Sequence, residues 1–354
     1  MKKLHMLALC LLVCMLALAG CSASKSAPPS ATEPPETEAP QQEAQQDDGI
    51  VRFTMHFVDP ASSPYAEGGE KIAELVREAT NGQIEITVIA GGELGGERET
   101  VEMAMDNQLD IATCANSVMT NYIPQMNILD QAYLWKNADE AHAAVDGRLG
   151  ELISDRAETL GLHVIGFEES GFRNTFSVKP IETMADFEGV TIRTMENKYH
   201  QAAFEAFGAE PVAMAYTEVF PALEEGRVDA CENATANCLN SGYYEITKNV
   251  TNTQHAFVYI LLCMSDEAYA RIPDALRDDF MNAVRQGVEW ERERLNQANA
   301  EATEALKELG VSFYDIDIEQ LQSAYMRKAE EKGFVFDEDW QAAVDEAIAQ
   351  ASAG

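Results

Sequence analysis

One arginine on a short strand offers the best chemistry in this chain for holding a ligand. Arg193 lies in Thr191-Ile192-Arg193-Thr194, framed by Gly189 and Met195. A guanidinium is a planar fork that matches a carboxylate through two parallel, charge-assisted hydrogen bonds. The same group also suits a structural salt bridge to one of the chain's many acids. Catalytic constellations are missing from the sequence: it contains no HExxH pair, P-loop, GxGxxG or GxSxG. The six histidines are scattered without helical metal-ligand spacing, and Cys231 and Cys238 lack a second pair, so neither a metal nor a cofactor is expected. Asp315, Asp317 and Glu319 alternate but lack the glycine turn and end spacing of a calcium loop, and read as the solvated face of a strand. Glu168 and Glu169 are strand neighbours facing opposite ways, which rules them out as an acid/base pair.

The elements that must position these residues follow from periodicity. Ile50–Phe57, Ile84–Ile89 and Leu109–Thr113 read as strands, separated by helices at Tyr65–Ala79 and Glu97–Asn107. Such βαβαβ order predicts a parallel sheet covered by helices. After a helix at Leu149–Leu160, His163–Glu168 resumes the pattern. A second block has strands at Asn174–Val178, Val190–Thr194 and Val228–Cys231, with helices at Lys198–Phe207 and Thr217–Glu225. His255–Met264 is a long strand able to return to the first block. Little interrupts a helix from Pro273 to Leu309 except Gly287, and it would be roughly 55 Å long, enough to lie across two domains. Helices at Ile318–Lys332 and Glu338–Ala349 complete the chain. The predicted fold is α/β: a two-lobed clamshell like the periplasmic binding proteins, with a long helix crossing both lobes. Residues 49–170 and 256–298 form lobe I, and residues 171–255 and 299–354 form lobe II. Ligand sites favour such clefts.

Composition bounds the partners. With 60 acidic against 25 basic residues and a net charge of −35, the chain is a poor partner for nucleic acid. The start is a lipoprotein signal peptide by its pattern: Lys2-Lys3, an apolar run from Leu4 to Ala19, then Leu18-Ala19-Gly20-Cys21. Residues 1–20 are expected to be removed and Cys21 to be acylated, each buried methylene adding about 0.8 kcal/mol of membrane affinity. Residues 21–48, rich in Ala, Pro, Glu, Gln and Ser, read as a disordered tether reaching on the order of 90 Å. The protein is therefore expected outside the cytoplasm, lipid-anchored to the bacterial cell membrane. Cys114, Cys231, Cys238 and Cys263 are expected as buried free thiols, with a Cys231–Cys238 bridge as the alternative.

Three segments carry a resemblance. They are Gly91-Gly92-Glu93-Leu94-Gly95-Gly96-Glu97-Arg98-Glu99; Lys179-Pro180-Ile181 through Gly189-Val190 to Arg193-Thr194; and Gly208-Ala209-Glu210-Pro211-Val212 through Tyr216-Thr217-Glu218-Val219-Phe220 to Asp229-Ala230-Cys231-Glu232-Asn233. Taken together, from about Val51 to Met264, the chain resembles the DctP-type extracytoplasmic substrate-binding proteins of TRAP transporters. That resemblance implies a two-lobed, non-enzymatic receptor that closes on a small organic acid and delivers it to sodium-coupled TRAP membrane permease subunits, acting as a monomer. An ABC permease or a sensor kinase is the alternative partner, and an extracellular enzyme a more distant reading.

By the resemblance, Arg193 pairs with the ligand carboxylate. Arg173, in Gly171-Phe172-Arg173-Asn174-Thr175, matches a second family arginine that touches the ligand or orients the loop. Asn233 matches an amide that bonds a ligand oxygen, and Glu232 buttresses an arginine. Cys231 and Ala230 depart from the family's usual Gln and Gly. Tyr216 is a candidate pocket wall; Phe220, four residues on, better suits helix packing. His56, in Met55-His56-Phe57-Val58-Asp59, and the polar pair Asn116 and Ser117 are further candidate contacts. Trp135 either covers an apolar part of the ligand or fills core.

Overall fold

The structure, a computed structural model, describes residues 49–353. The signal peptide, Cys21 and all of the tether lie outside the described residues. The chain opens with β1 (Val51–His56), α1 (Pro64–Ala79), β2 (Ile84–Ile89), α2 (Glu97–Met105), β3 (Ile111–Ala115), the short α3 (Asn116–Met119), α4 (Ala138–Val145), α5 (Arg148–Glu158) and β4 (Leu162–Phe172). Ser63 starts α1 by accepting a bond from Ala66 N, with Pro64 at the first helical position. The second block holds β5 (Asn174–Ser177), β6 (Thr191–Thr194), α6 (Lys198–Phe207), β7 (Glu210–Ala213), α7 (Val219–Glu224), β8 (Ala230–Asn233), α8 (Thr235–Asn240) and β9 (Asn249–Thr251). Then come β10 (Phe257–Ser265), α9 (Asp266–Ala270), α10 (Arg277–Glu308), β11 (Ser312–Tyr314), α11 (Ile318–Lys332) and α12 (Glu338–Ala351).

Two sheets result, with strand orders β2-β1-β3-β10-β4 and β11-β9-β5-β8-β6-β7. The first sheet is mixed, not parallel throughout. β1 runs parallel to β2 and β3, whereas β10 returns from the second lobe and pairs antiparallel with both β3 and β4. Its nine-residue sequence is buried along its whole length, as befits a central strand covered on both faces. The chain crosses between sheets at Arg173, again at residues 252–256, and once more along α10. The first two crossings are stitched together by Arg173 N donating to Ala256 O at 2.9 Å.

Two further expectations change. The Asp315-Asp317-Glu319 run is not a strand face: β11 ends at Tyr314, and Asp317 caps α11 by accepting from Gln320 N. Nor does α12 join lobe II. Its apolar face, Trp340, Ala343, Val344 and Ala347, packs into the same core as Leu149 and Ile153 of α5, because that stripe finds an unfilled apolar surface on α4 and α5. α11 does pack on lobe II, with Leu321 and Tyr325 against Phe204.

Gly287 does not stop α10; it is where α1 crosses. A Cβ there would lie 2.3 Å from Ile72 Cγ1 and 3.1 Å from Ile72 Cα. Gly287→Ala should therefore destabilise the protein, since overpacking costs ~1–3 kcal/mol against ~1 kcal/mol of improved helix propensity. Urea unfolding checks this, and a higher midpoint for the variant would show that the helices part freely.

One turn further along α10, Glu291 and Glu168 of β4 form a buried carboxyl pair beside Gly68. Both oxygens of Glu168 and Oε1 of Glu291 have no hydrogen-bond partner among the described residues, while Glu291 Oε2 accepts from Glu169 N at 2.8 Å. Burial first, and the charge on neighbouring acids second, push Glu168 well above the carboxylate range; burial does the same to Glu291. Such groups support folding fully below the ordinary value near 4.5, and that support is lost as pH rises through the raised folded values. Glu291→Gln keeps the side chain's size and removes the charge that Glu291 can place beside Glu168. It should flatten the decline in urea midpoint as pH rises above the ordinary carboxyl range; an unchanged slope would remove the pair as its cause.

Candidate functional site

Three short strands and the first crossing point aim polar side chains into one cavity between the lobes. On β6, Ile192 turns into the lobe II core, so alternation sends Arg193 to the other face. On β8, Cys231 packs into core and the following Glu232 and Asn233 lie against β5 and its flank. Arg173 sits at the crossing itself. The free space in the cavity is about 30 Å³, well below the roughly 300 Å³ at which ligand pockets begin. Lobe I contributes Asp59, Tyr65, Glu97 and Ser170; lobe II contributes Arg193, Tyr216, Asn233 and Asn237, with Arg173 between them.

Glu232 organises the arginines. It is fully buried, pairs closely with Arg173 Nε, accepts from Arg173 Nη2 at 3.1 Å, and lies 3.4 Å from His255 Nε2. Burial alone would raise its carboxyl, but Arg173 and His255 hold it well below the usual carboxylate range. Arg173 has all its donors engaged: Nη1 reaches Ser170 Oγ at 3.4 Å and Asn233 Oδ1 at 2.9 Å, and Nη2 also reaches Glu232 O at 2.7 Å. Arg193 is freer. Its Nε and Nη2 donate to Met214 O at 3.1 and 2.9 Å, and Nη1 keeps only a 3.5 Å contact with Glu232. Asn233 accepts through Oδ1 from Arg173 and from Ala234 N, and its Nδ2 has no partner among the described residues.

The other sequence candidates separate. Tyr216 lines the cavity, its hydroxyl 3.0 Å from Asn237 Oδ1 and 2.6 Å from Ser241 Oγ. Phe220 packs with the lobe II core. His56, Asn116 and Trp135 lie outside the lining. His56 Nε2 accepts from Leu94 N at 3.4 Å under the Gly91–Gly96 loop. Asn116 is used at both ends of its amide, donating to Asp130 and accepting from Tyr259 N, each at 2.9 Å. Trp135 fills the lobe I core. Ser117 Oγ donates to Met195 Sδ across the lobes at 3.0 Å.

Asp59, Tyr65, Glu97, Ser170 and Asn237 were not singled out by sequence. Asp59 and Glu97 stand just past the carboxyl end of β1 and at the start of α2, where ligand sites gather in α/β sheets, so their positions carried a signal. Burial pushes Asp59 up to about 6, against the bond from Asn237 and the charge on Arg173. It pushes Glu97 to about 7, against a hydrogen bond from Ala115 N. All four cysteines within the described residues are buried and free. His200, Glu232 and His255 bring ligand atoms within 4.8 Å of one another. Glu232 is already the partner of Arg173, however, and a cation there would lie against that guanidinium.

A bacterial extracellular solute-binding protein family 7 model, DctP, matches residues 55–332. The chain belongs to that family. A solute-binding protein of Verminephrobacter eiseniae is 29% identical over 247 residues, covering 70% of this chain and 74% of that one. The 2,3-diketo-L-gulonate-binding periplasmic protein of Escherichia coli is 26% identical over 250 residues, covering 70% and 76%. A TRAP periplasmic solute-binding protein from Xanthobacter autotrophicus, solved with bound β-D-galacturonate, superposes with a TM-score of 0.79 at 24% identity, covering 84% of this chain and 99% of that one. DctP-family proteins are extracytoplasmic receptors, not enzymes, and this member has the two-sheet α/β fold of the TRAP-type receptors.

Proposed function

We propose that this DctP-family receptor captures a small organic anion by pairing its carboxylate with Arg193, and hands it to a TRAP-type permease. The observation that carries the reading is the unequal use of the two cavity arginines. Arg173 is fully engaged by Glu232, Asn233 and Ser170 and acts as the lock of the site. Arg193 has donors to offer, and Asn233 Nδ2 beside it offers another. Ligands named for relatives, 2,3-diketo-L-gulonate and galacturonate, are sugar acids that carry the required carboxylate.

Contacts such as Asn237 Nδ2 to Asp59 Oδ1 at 2.9 Å and Arg98 to Glu196 at 3.6 Å join the lobes over the cavity. Binding therefore involves opening and closure about the crossings near 171–173 and 252–256. Cys21, acylated, would keep the receptor as a monomer beside its permease on the membrane. A thermal-shift screen of organic acids tests the binding reading, because a ligand that binds only the folded protein raises its melting temperature. Carboxylates should raise it and their neutral amides should not; a shift with neutral sugars alone would sink the reading.

A further inference from the structure

The cavity's second pole carries charge that a simple organic anion does not satisfy. Asp59 is buried, and its side chain accepts from the neutral Asn237 amide at 2.9 Å. Glu97 accepts from Ala115 N through Oε1 at 2.7 Å and leaves Oε2 without a hydrogen-bond partner among the described residues. Neither makes a salt bridge among the described residues: Arg173 pairs with Glu232, while Arg193 donates to Met214 O and approaches Glu232 at 3.5 Å. With a carboxylate ligand in place, the two guanidinium charges face four carboxylates: Glu232, Asp59, Glu97 and the ligand's. An unpaired buried carboxylate is costly. The outer mouth of the same cleft is also acidic, with Glu99, Glu196 and Glu218 against Arg98 and Arg193. The whole chain adds a net charge of −35.

We propose that the ligand is a small zwitterionic amino-carboxylate. Its carboxylate lies on Arg193 of lobe II, and its ammonium lies between Asp59 and Glu97 of lobe I. The inference rests on the carboxylate reading given above. An ammonium supplies the positive charge that the lobe I pole lacks, and its three N–H donors suit carboxylate acceptors that lone hydroxyls satisfy less well. A zwitterion carries no net charge, so it enters the acidic cleft without the repulsion a dicarboxylate meets. It also draws the lobes together through opposite charges, one on each. The raised carboxyls fit this: they ionise when an ammonium arrives, so binding near pH 7 releases protons.

Calorimetric titration of the purified protein with matched pairs tests the proposal: alanine with lactate, β-alanine with 3-hydroxypropanoate, and 4-aminobutanoate with 4-hydroxybutanoate. At least one amino acid should bind tenfold or more tighter than its hydroxy counterpart, with a heat that reports proton release through its dependence on buffer. Glu97→Gln and Asp59→Asn should each reduce that ratio to threefold or less, in whichever of the two retains the parent's melting behaviour. Hydroxy acids or succinate binding as tightly as every amino acid would overturn the proposal and leave the carboxylate reading standing. No binding by any of these acids, in a protein that also ignores the wider carboxylate screen, would overturn both.

Discussion

Replacing Arg173 by alanine should lower the free energy of unfolding by ~3–5 kcal/mol and abolish ligand capture. The arginine is 4% exposed and its donors reach Glu232, Asn233 and Ser170. Its removal strands a fully buried carboxylate whose remaining cationic contact among the described residues is the 3.5 Å approach of Arg193, because burial lowers the pKa of the His255 imidazole 3.4 Å away. Because Glu232 is held below its ordinary value, its contribution to stability is present above the carboxyl range and disappears as pH falls through the folded value. Without Arg173, burial raises the stranded carboxyl, which takes up a proton in acid, so the variant should lose most at neutral pH and less in acid. Denaturant titrations at pH 7 and pH 4 measure both trends. Adding Glu232→Gln to Arg173→Ala should recover part of the loss by removing the stranded charge. A loss below about 1 kcal/mol at pH 7 would reduce the pair to the value of a surface ion pair.

Arg193→Ala should separate binding from stability. Its bonds within the protein go mainly to Met214 O, a neutral acceptor, so melting should change less than for Arg173→Ala. Binding should weaken by roughly thirty-fold or more, because losing one partner of a buried, hydrogen-bonded charge pair costs ~2–5 kcal/mol at about 1.4 kcal/mol per decade of affinity. Arg193→Lys should not restore it, since a point charge lacks the planar fork. Calorimetry with a ligand found by the screen decides the matter; unchanged affinity in the alanine variant would sink the assigned role.

The Glu232 clamp explains why only some site residues were legible. Arg173, Arg193, Glu232 and Asn233 sit in segments whose types and order carry a family pattern, and they do meet in one cavity. His56, Asn116 and Trp135 were chosen for polarity or size near strand ends. Their side chains have other partners, namely Leu94 N, the Asp130 carboxylate and the lobe I core. Local sequence gives no way to see those partners, because Asn116 and Tyr259 are 143 residues apart. The mixed direction of the first sheet was hidden for the same reason. Periodicity marks β10 as a strand but carries no sign for the direction in which it enters the sheet.

By itself the sequence determined the local elements, the acidic charge, the lipobox-like start, the residue types at the arginine-bearing positions and the family. These depend on spacing within a few dozen residues and on composition. Only the tertiary structure decided that Glu232 engages Arg173 and leaves Arg193 freer, that Asp59 and Glu97 face the same cavity without a salt bridge among the described residues, and that α12 closes lobe I. Each depends on which distant groups share a low-dielectric space, and burial, more than residue type, sets how an unpaired charge behaves there.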